Sequence, residues 1–379
     1  MSLFVLSNAA TPLYTIWQQR IGFSDTTLTW IFVVYIAGLL TSLLVSGPAS
    51  DRVGRKPVLL PALALSFVSC LLFMTAGSVA ALVAARLLTG LSGGAVVSCG
   101  IAAVIDLSGG RRAQAARLAS SAIVLGSGLG PLLAGAVIGV FAEPVRPVFL
   151  LVLVLLAASV LVAVRMPLPA RPRRKGRFIQ MPAVPRPQLT HLVLGVAVYA
   201  PGLIGGSFFL ALGPSLLHSA QPHAGALATG SLVFLAFAAA TTIQFTARRL
   251  PVRDMLPASA GATFAGMACL LVAAATHQVA ALCTAAVLVG VGQGAGQLGA
   301  FTLLNTSVPR ERLAAANACL SISVYLPAAA FTLAAGRASD WFGIGIGTQL
   351  LAAVVMLIAT VVGVMLVLWR DRVPAADRK

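Results

Sequence analysis

The chain has 379 residues, 59% of them hydrophobic and 9% charged, with a net charge of +17 and a mean hydropathy of +0.98. Soluble domains run at about 45–50% apolar and about 25% charged residues, so a water-soluble enzyme or binding module is excluded and a membrane-embedded body is expected. The basic excess does not point to nucleic acid, because no soluble stretch is long enough to present a basic face. If alternate spans run outward, 22 of the 26 basic residues fall on one side. That asymmetry is the positive-inside bias, and it predicts a multi-pass protein of the cell (plasma or inner) membrane with both termini cytoplasmic.

A span needs about 20 apolar residues to cross the hydrocarbon. The charge-free windows, divided at Ala76-Gly77-Ser78, at His218-Ser219-Ala220-Gln221-Pro222-His223 and at Thr276-His277-Gln278, predict an all-α membrane protein of twelve transmembrane helices. The first six are expected near 3–19, 27–47, 57–76, 79–105, 114–141 and 147–164. The second six are expected near 191–217, 225–246, 255–275, 279–305, 313–334 and 346–369. Between the sets, 165–190 carries seven basic residues, no acid and six prolines, which predicts a basic, Pro-rich cytoplasmic connector. The organisation is therefore a six-helix half over 1–164, the connector, and a six-helix half with a short tail over 191–379. The first span is short because Arg20 follows so soon, and it is expected to lack one or two native helical turns. No basic region precedes the apolar start, so no cleaved leader is expected.

Two six-helix halves joined by a connector match one class of transporter, whose binding site lies between the halves near the bilayer midplane. The cysteines Cys70, Cys99, Cys269, Cys283 and Cys319 all fall within spans and form no CxxC pair, so they are expected as small core residues, with no metal and no cofactor.

The second and third spans are joined by Gly47-Pro48-Ala49-Ser50-Asp51-Arg52-Val53-Gly54-Arg55-Lys56-Pro57, which predicts a short hairpin pinning two helix ends. Gly54 is expected to make the turn and Gly47 to admit a neighbouring helix. These residues resemble the loop signature G-x-x-x-D-R-x-G-R-K of the major facilitator superfamily, with Ala49 in place of its usual leucine. The resemblance implies the major facilitator fold, and a latch in which Asp51 docks on the N-terminal end of the eleventh helix while Arg55 pairs with Asp106 at the end of the fourth. Gly47, Asp51, Arg52, Gly54, Arg55, Lys56 and Asp106 are thus the candidate latch residues. The alternative is a loop that only sets topology. The loop from Arg248 to Asp254 does not repeat the pattern.

Arg86 is the one charge in the middle of a span, and an arginine there costs at least about 2.5 kcal/mol unless it faces the interior of the bundle or a wet cavity. With Gly90 it matches the family's R-x-x-x-G of the fourth helix, which implies a role in coupling or in polarising the cavity. On the fifth span, Gly126, Gly130, Pro131 and Gly135 resemble the family's antiporter signature G-x-x-x-G-P-x-x-G-G, with Ala134 replacing one glycine. This implies an exporter of the drug:proton antiporter branch; generic small-residue packing is the alternative.

Polar or amphipathic residues in the spans mark the candidate pathway: Asn8, Tyr14, Tyr35, Tyr199, Gln244, Gln293, Gln297 and Tyr325 as substrate contacts, with Trp17, Asn305 and Asn317 beside them. Such walls suit hydrophobic or neutral solutes. Gly294-Ala295-Gly296-Gln297-Leu298-Gly299 satisfies GxGxxG but follows no strand, and no Gly-Lys phosphate loop exists, so nucleotide-driven transport is excluded. Gly90-Leu91-Ser92-Gly93 resembles the GxSG of intramembrane rhomboid proteases. That chemistry needs a histidine in the bilayer, and His191, His218, His223 and His277 all fall at span ends.

The expected function is export of small hydrophobic or neutral, drug-like compounds by alternating access, from a protein acting as a monomer in the lipid bilayer on a small-molecule substrate. An importer or facilitator of a small metabolite, in which Arg86 binds an anionic group, is the alternative, and an intramembrane serine protease a remote one. Exchange for protons follows from the resemblance alone, since no span interior contains Asp, Glu or His.

Overall fold

A computed structural model describes residues 1–108, 111–167, 188–247, 250–308 and 313–368, without the side chains of Asp51, Arg112, Ala113, Ala116, Arg117, Leu313 and Ala314. Among the described residues the chain is helical, and eleven helices are long and apolar enough to cross a membrane. Positions 168–187 of the expected connector lie outside the described residues.

The first of the twelve expected spans is interrupted. Helix α1 (Ser2–Ala9) gives way to a single 3-10 turn at Thr11–Leu13 and resumes as α2 (Tyr14–Ile21). The cause is Pro12, whose nitrogen bears no hydrogen to offer the Asn8 carbonyl one turn back. The seventh span, expected unbroken over 191–217, is likewise divided at Leu212 into α9 and α10, just ahead of Pro214. In chain order the helices are α3 (Asp25–Val53), α4 (Lys56–Met74), α5 (Val79–Ala95), α6 (Ile101–Asp106), α7 (Arg112–Ile138), α8 (Val145–Arg165), α9 (Leu189–Ala211), α10 (Gly213–Ala220), α11 (Ala226–Thr246), α12 (Val252–Thr276), α13 (Val279–Ser307), α14 (Leu313–Phe342) and α15 (Ile344–Leu368). A wide π turn at Val96–Gly100 joins α5 to α6.

Two boundaries depart from the charge-based expectation. The second span was expected to end near 47, yet α3 continues through Asp51 and Arg52; the eleventh was expected to end near 334, yet α14 runs through Arg337 and Asp340. A charge leaves hydrocarbon but does not interrupt backbone hydrogen bonding. These helices stop instead where a glycine takes a left-handed conformation, at Gly54 (φ 97°) and Gly343 (φ 85°).

The chain forms two compact units. The first comprises Met1–Phe23, Trp30–Met181 and Gly225–Gly230. Its helices meet through glycines: a Cβ on Gly126 or Gly130 of α7 would strike the backbone of α1, and one on Gly38, Gly90 or Gly94 would strike backbone across the α3–α5 crossing. Ser69 donates to the Ala85 carbonyl (2.8 Å) and shares a hydrogen bond with Thr89 (2.5 Å), joining α4 to α5. Trp17, Phe73 and Phe149 stack beside this seam, with Phe73 and Phe149 nearly parallel at 5.2 Å.

The second unit comprises Ser24–Thr29, Pro182–Ala224 and Ser231–Lys379. Helix α13 is its axis. Gly290 and Gly294 lie against the backbone of α11 at Ala236 and Ala240, while Gly292 and Gly296 lie against Thr263 and Ser259 of α12. Leu194, Val198, Leu256, Ala260, Leu303, Val362 and Leu366 close the apolar core around α9, α12, α13 and α15.

Candidate functional site

The family-like signature is half helix and half turn, not the free hairpin expected. Gly47 to Val53 form the last turns of α3, Gly54 makes the left-handed turn, and Lys56 opens α4. Space beside Gly47 is open, so it does not admit a neighbouring helix; the close approach is made one face earlier, by Gly38. Arg55 is brought to Asp106, Nε to Oδ2 at 3.4 Å, and its Nη1 donates to Ser50 Oγ at 2.6 Å. Asp106 is the last residue of α6, where a carboxylate opposes its own helix dipole and gains from a nearby cation. Lys56 Nζ donates to the Val164 carbonyl at the end of α8 (2.8 Å), a favourable position for a cation. The side chain of Asp51 lies outside the described residues.

Arg86 lies wholly inside the first unit, 0% exposed. Its Nε donates to the Tyr14 hydroxyl at 2.5 Å and its Nη1 to the Ser7 carbonyl. Tyr14, Phe32, Tyr35 and Phe73 turn ring faces toward the guanidinium, with centroids 5.3, 6.0, 5.9 and 5.8 Å from Cζ. A ring face stabilises a desolvated cation by about 2 kcal/mol or more. No ion pair to Arg86 occurs among the described residues, and its Nη2 is buried without a hydrogen-bond partner. Gly90, one turn on, is a contact point: its missing side chain leaves room for the Tyr35 carbonyl.

The candidates on the fifth span, α7, act as spacers. Gly126 and Gly130 face α1, while Gly135 and Pro131 meet the Gly225–Gly230 segment, which belongs to the same unit. Pro131 sits within α7 without ending it.

The candidate substrate contacts divide between the units. Tyr14 and Tyr35 join Arg86 in the first, whereas buried Asn8 turns its amide back to the Phe4 carbonyl at 3.1 Å. In the second unit Gln244 Nε2 donates to Gln297 Oε1 at 2.9 Å, Gln293 covers Gly206, and Tyr199 is hydrogen-bonded to Tyr325 beside Phe301.

The sequence reading passed over Ser7, Phe32 and Phe73 around Arg86. It also passed over Asp340, whose carboxylate accepts the N–H groups of Asp25 and Thr26, both at 3.0 Å, at the start of α3. An acid in a helix's last turn is disfavoured by its own dipole, which signals a partner elsewhere. Ser92 is fully buried, and its hydroxyl donates to the Ala62 carbonyl at 2.7 Å, so it belongs to the α4–α5 seam. Gly294, Gly296 and Gly299 are helix contacts, as their place in α13 requires.

Residues 1–214 match the Major Facilitator Superfamily. The chain belongs to that superfamily. It is thus an all-α, multi-pass membrane transporter and not an enzyme. A segment of 115 residues is 32% identical to multidrug resistance protein MdtL of Escherichia coli O45:K1, a match that spans 29% of this chain and 29% of that relative. Among solved structures, a bacterial homologue of the human lysosomal transporter Spinster, inward-facing and occupied, superposes with TM-score 0.71 at 12% identity, over 100% of this chain and 96% of that one. The human organic anion transporter MFSD10 superposes with TM-score 0.67 at 20% identity, over 95% and 96%. At these identities the two structures establish the fold alone.

Proposed function

We propose that this transporter is a secondary active exporter of small, largely apolar compounds, working by alternating access as a monomer in the inner membrane with both termini cytoplasmic. The moving parts in this reading are the halves 1–164 and 191–379, joined by 165–190. The observation that supports it is the Arg55–Asp106 pair, which joins the family's loop signature to the end of α6. Asp51 gains and loses contact with a helix N-terminus as the cycle turns, a change of about 0.3–1 kcal/mol and more when partly buried. Export is supported by the Gly126, Gly130, Pro131, Gly135 pattern and by partial similarity to a multidrug resistance protein.

The test is a panel of fluorescent amphiphiles in everted vesicles, with and without an imposed pH gradient. Accumulation that depends on the protein is expected. Accumulation only in right-side-out vesicles would reverse the direction, and flux indifferent to the gradient would remove proton exchange.

A further inference from the structure

We propose that Arg86 binds the anionic group of an amphiphilic organic acid, a carboxylate or sulfonate carried on an apolar body, within the first unit. This rests on the transport reading above and names its substrate class. Among the described residues every other charge lies near a helix end or in a connecting segment, and no acid pairs with Arg86, a permanent cation in mid-span. A lipophilic cation would meet only repulsion there.

The guanidinium is held for work that its protein partners leave unfinished. Nε and Nη1 are spent on neutral acceptors, the Tyr14 hydroxyl and the Ser7 carbonyl, while Nη2 is buried and unpartnered. Thr11 Oγ1 is also buried without a partner, and Thr11 lies between Ser7 and Tyr14 on the stretch where the first span is interrupted. Interrupted helices are where transporters of this kind expose polar groups to a substrate. An oxyanion that accepts from Nη2–H satisfies that donor, and charge-assisted bonds of that kind are the strong ones. Phe32 and Tyr35, whose ring faces shelter the cation, are the apolar surfaces of α3 beside which the body of such a molecule would lie.

The full chain is reconstituted in phosphatidylcholine vesicles and given three dyes of similar size: anionic fluorescein, cationic rhodamine 123 and a neutral fluorescein ester. Fluorescein flux is expected to exceed rhodamine 123 flux by about tenfold or more, the scale of a buried charge-assisted hydrogen bond. Arg86→Gln is expected to lower the ratio of fluorescein flux to neutral-ester flux by about tenfold or more, with Arg86→Lys intermediate. Fluorescein should also raise the melting temperature of purified wild-type protein, a readout independent of transport and of whether a variant folds. Adding phosphatidylglycerol separates two sources of one chemistry: lost fluorescein flux assigns the anion to a lipid headgroup, unchanged flux to a dissolved acid. Faster flux of rhodamine 123 than of fluorescein in the wild type, or undiminished fluorescein flux in Arg86→Gln, would overturn the proposal while leaving transport intact. Absence of flux for all three dyes would bring down the transport reading itself.

Discussion

Helices α5 and α13 occupy equivalent places in the two units and share much of their sequence, yet their surroundings differ in kind. Nine of the seventeen residues from 79 to 95 recur 200 positions later: Val79, Ala80, Ala81, Leu82, Ala85, Leu88, Gly90, Gly94 and Ala95 match Val279, Ala280, Ala281, Leu282, Ala285, Leu288, Gly290, Gly294 and Ala295. The shared glycines do the same job twice. Gly90 and Gly94 meet α3 at Tyr35 and Leu39, and Gly290 and Gly294 meet α11 at Ala236 and Ala240. The unshared positions carry the chemistry. Arg86 stands against Ala286, Thr89 against Val289 and Ser92 against Gly292, so one helix has a caged cation and a hydroxyl seam where its counterpart has methyl groups and bare backbone. The repeated framework comes from residues without side chains, and what differs is confined to a few side chains set upon it.

The hardest way to break this correspondence is to fill a shared contact. Gly90→Val and Gly290→Val each force a side chain into a neighbouring carbonyl, and overpacking typically costs about 1–3 kcal/mol, more where backbone must move. Both variants are expected to lose most folded protein, measured by size-exclusion profile and melting temperature in detergent. If Gly290→Val were tolerated and Gly90→Val not, the two crossings would not be equivalent.

Exchanging the distinguishing residue comes next. Ala286→Arg places an unsheltered cation in an apolar core at a cost of at least about 2.5 kcal/mol, so expression and thermal stability should fall. Its counterpart carries the same charge only because four rings, a hydroxyl and a carbonyl surround it. A fully stable Ala286→Arg protein would show that the cage around Arg86 is dispensable.

The loop signature that carries the proposed latch occurs once in the chain, since no turn glycine follows Arg248 and Arg249. Asp51→Asn is expected to lower transport about fivefold or more while expression is unchanged, the scale of an ordinary conformational coupling. Because Arg55 and Asp106 remain partly exposed, Asp106→Asn should shift the melting temperature little and tell through transport instead. Wild-type rates in both variants would reduce the signature to a topological loop.

How much of this was legible follows from sequence separation. The spans could be placed from charge-free windows, because hydrocarbon excludes charge over about 20 residues and needs no partner to do so. The turn at Gly54 was legible, but the helix ends near 47 and 334 were both placed too early, because Asp51 and Arg337 read as stops although charge does not interrupt a helix backbone. The interruption at Pro12 was readable from one residue, though the charge count alone hid it. The surroundings of Arg86 were not readable, since Phe32 and Phe73 in apolar spans look like lipid-facing residues until helices distant in sequence bring their rings together. The Arg55–Asp106 pair was reached through family resemblance and not through spacing, for nothing in fifty intervening residues fixes that approach.

The smallest expected effect tests whether the hydroxyl seam is structural or chemical. Ser92 is buried, donates to the Ala62 carbonyl and touches Ser66, whereas its counterpart Gly292 lies against Thr263 with no hydroxyl of its own. Ser92→Ala removes the hydrogen bonds with the Ala62 carbonyl and the Ser66 hydroxyl but leaves Ser66 donating to that same carbonyl within its own helix, so the net loss should be about 0.5–1.5 kcal/mol, a modest drop in melting temperature. Transport of the best probe should be unchanged, because the matching crossing in the second unit is held by a hydroxyl from the other helix, Ser259 donating to the Gly292 carbonyl at 2.8 Å, with none at the serine's own position. A serine nucleophile behaves oppositely: its alanine variant keeps its stability and loses all activity. Measuring melting temperature and flux on the same preparation therefore separates the two roles, and a stable but inactive Ser92→Ala would mean that the two helices differ in mechanism as well as in packing.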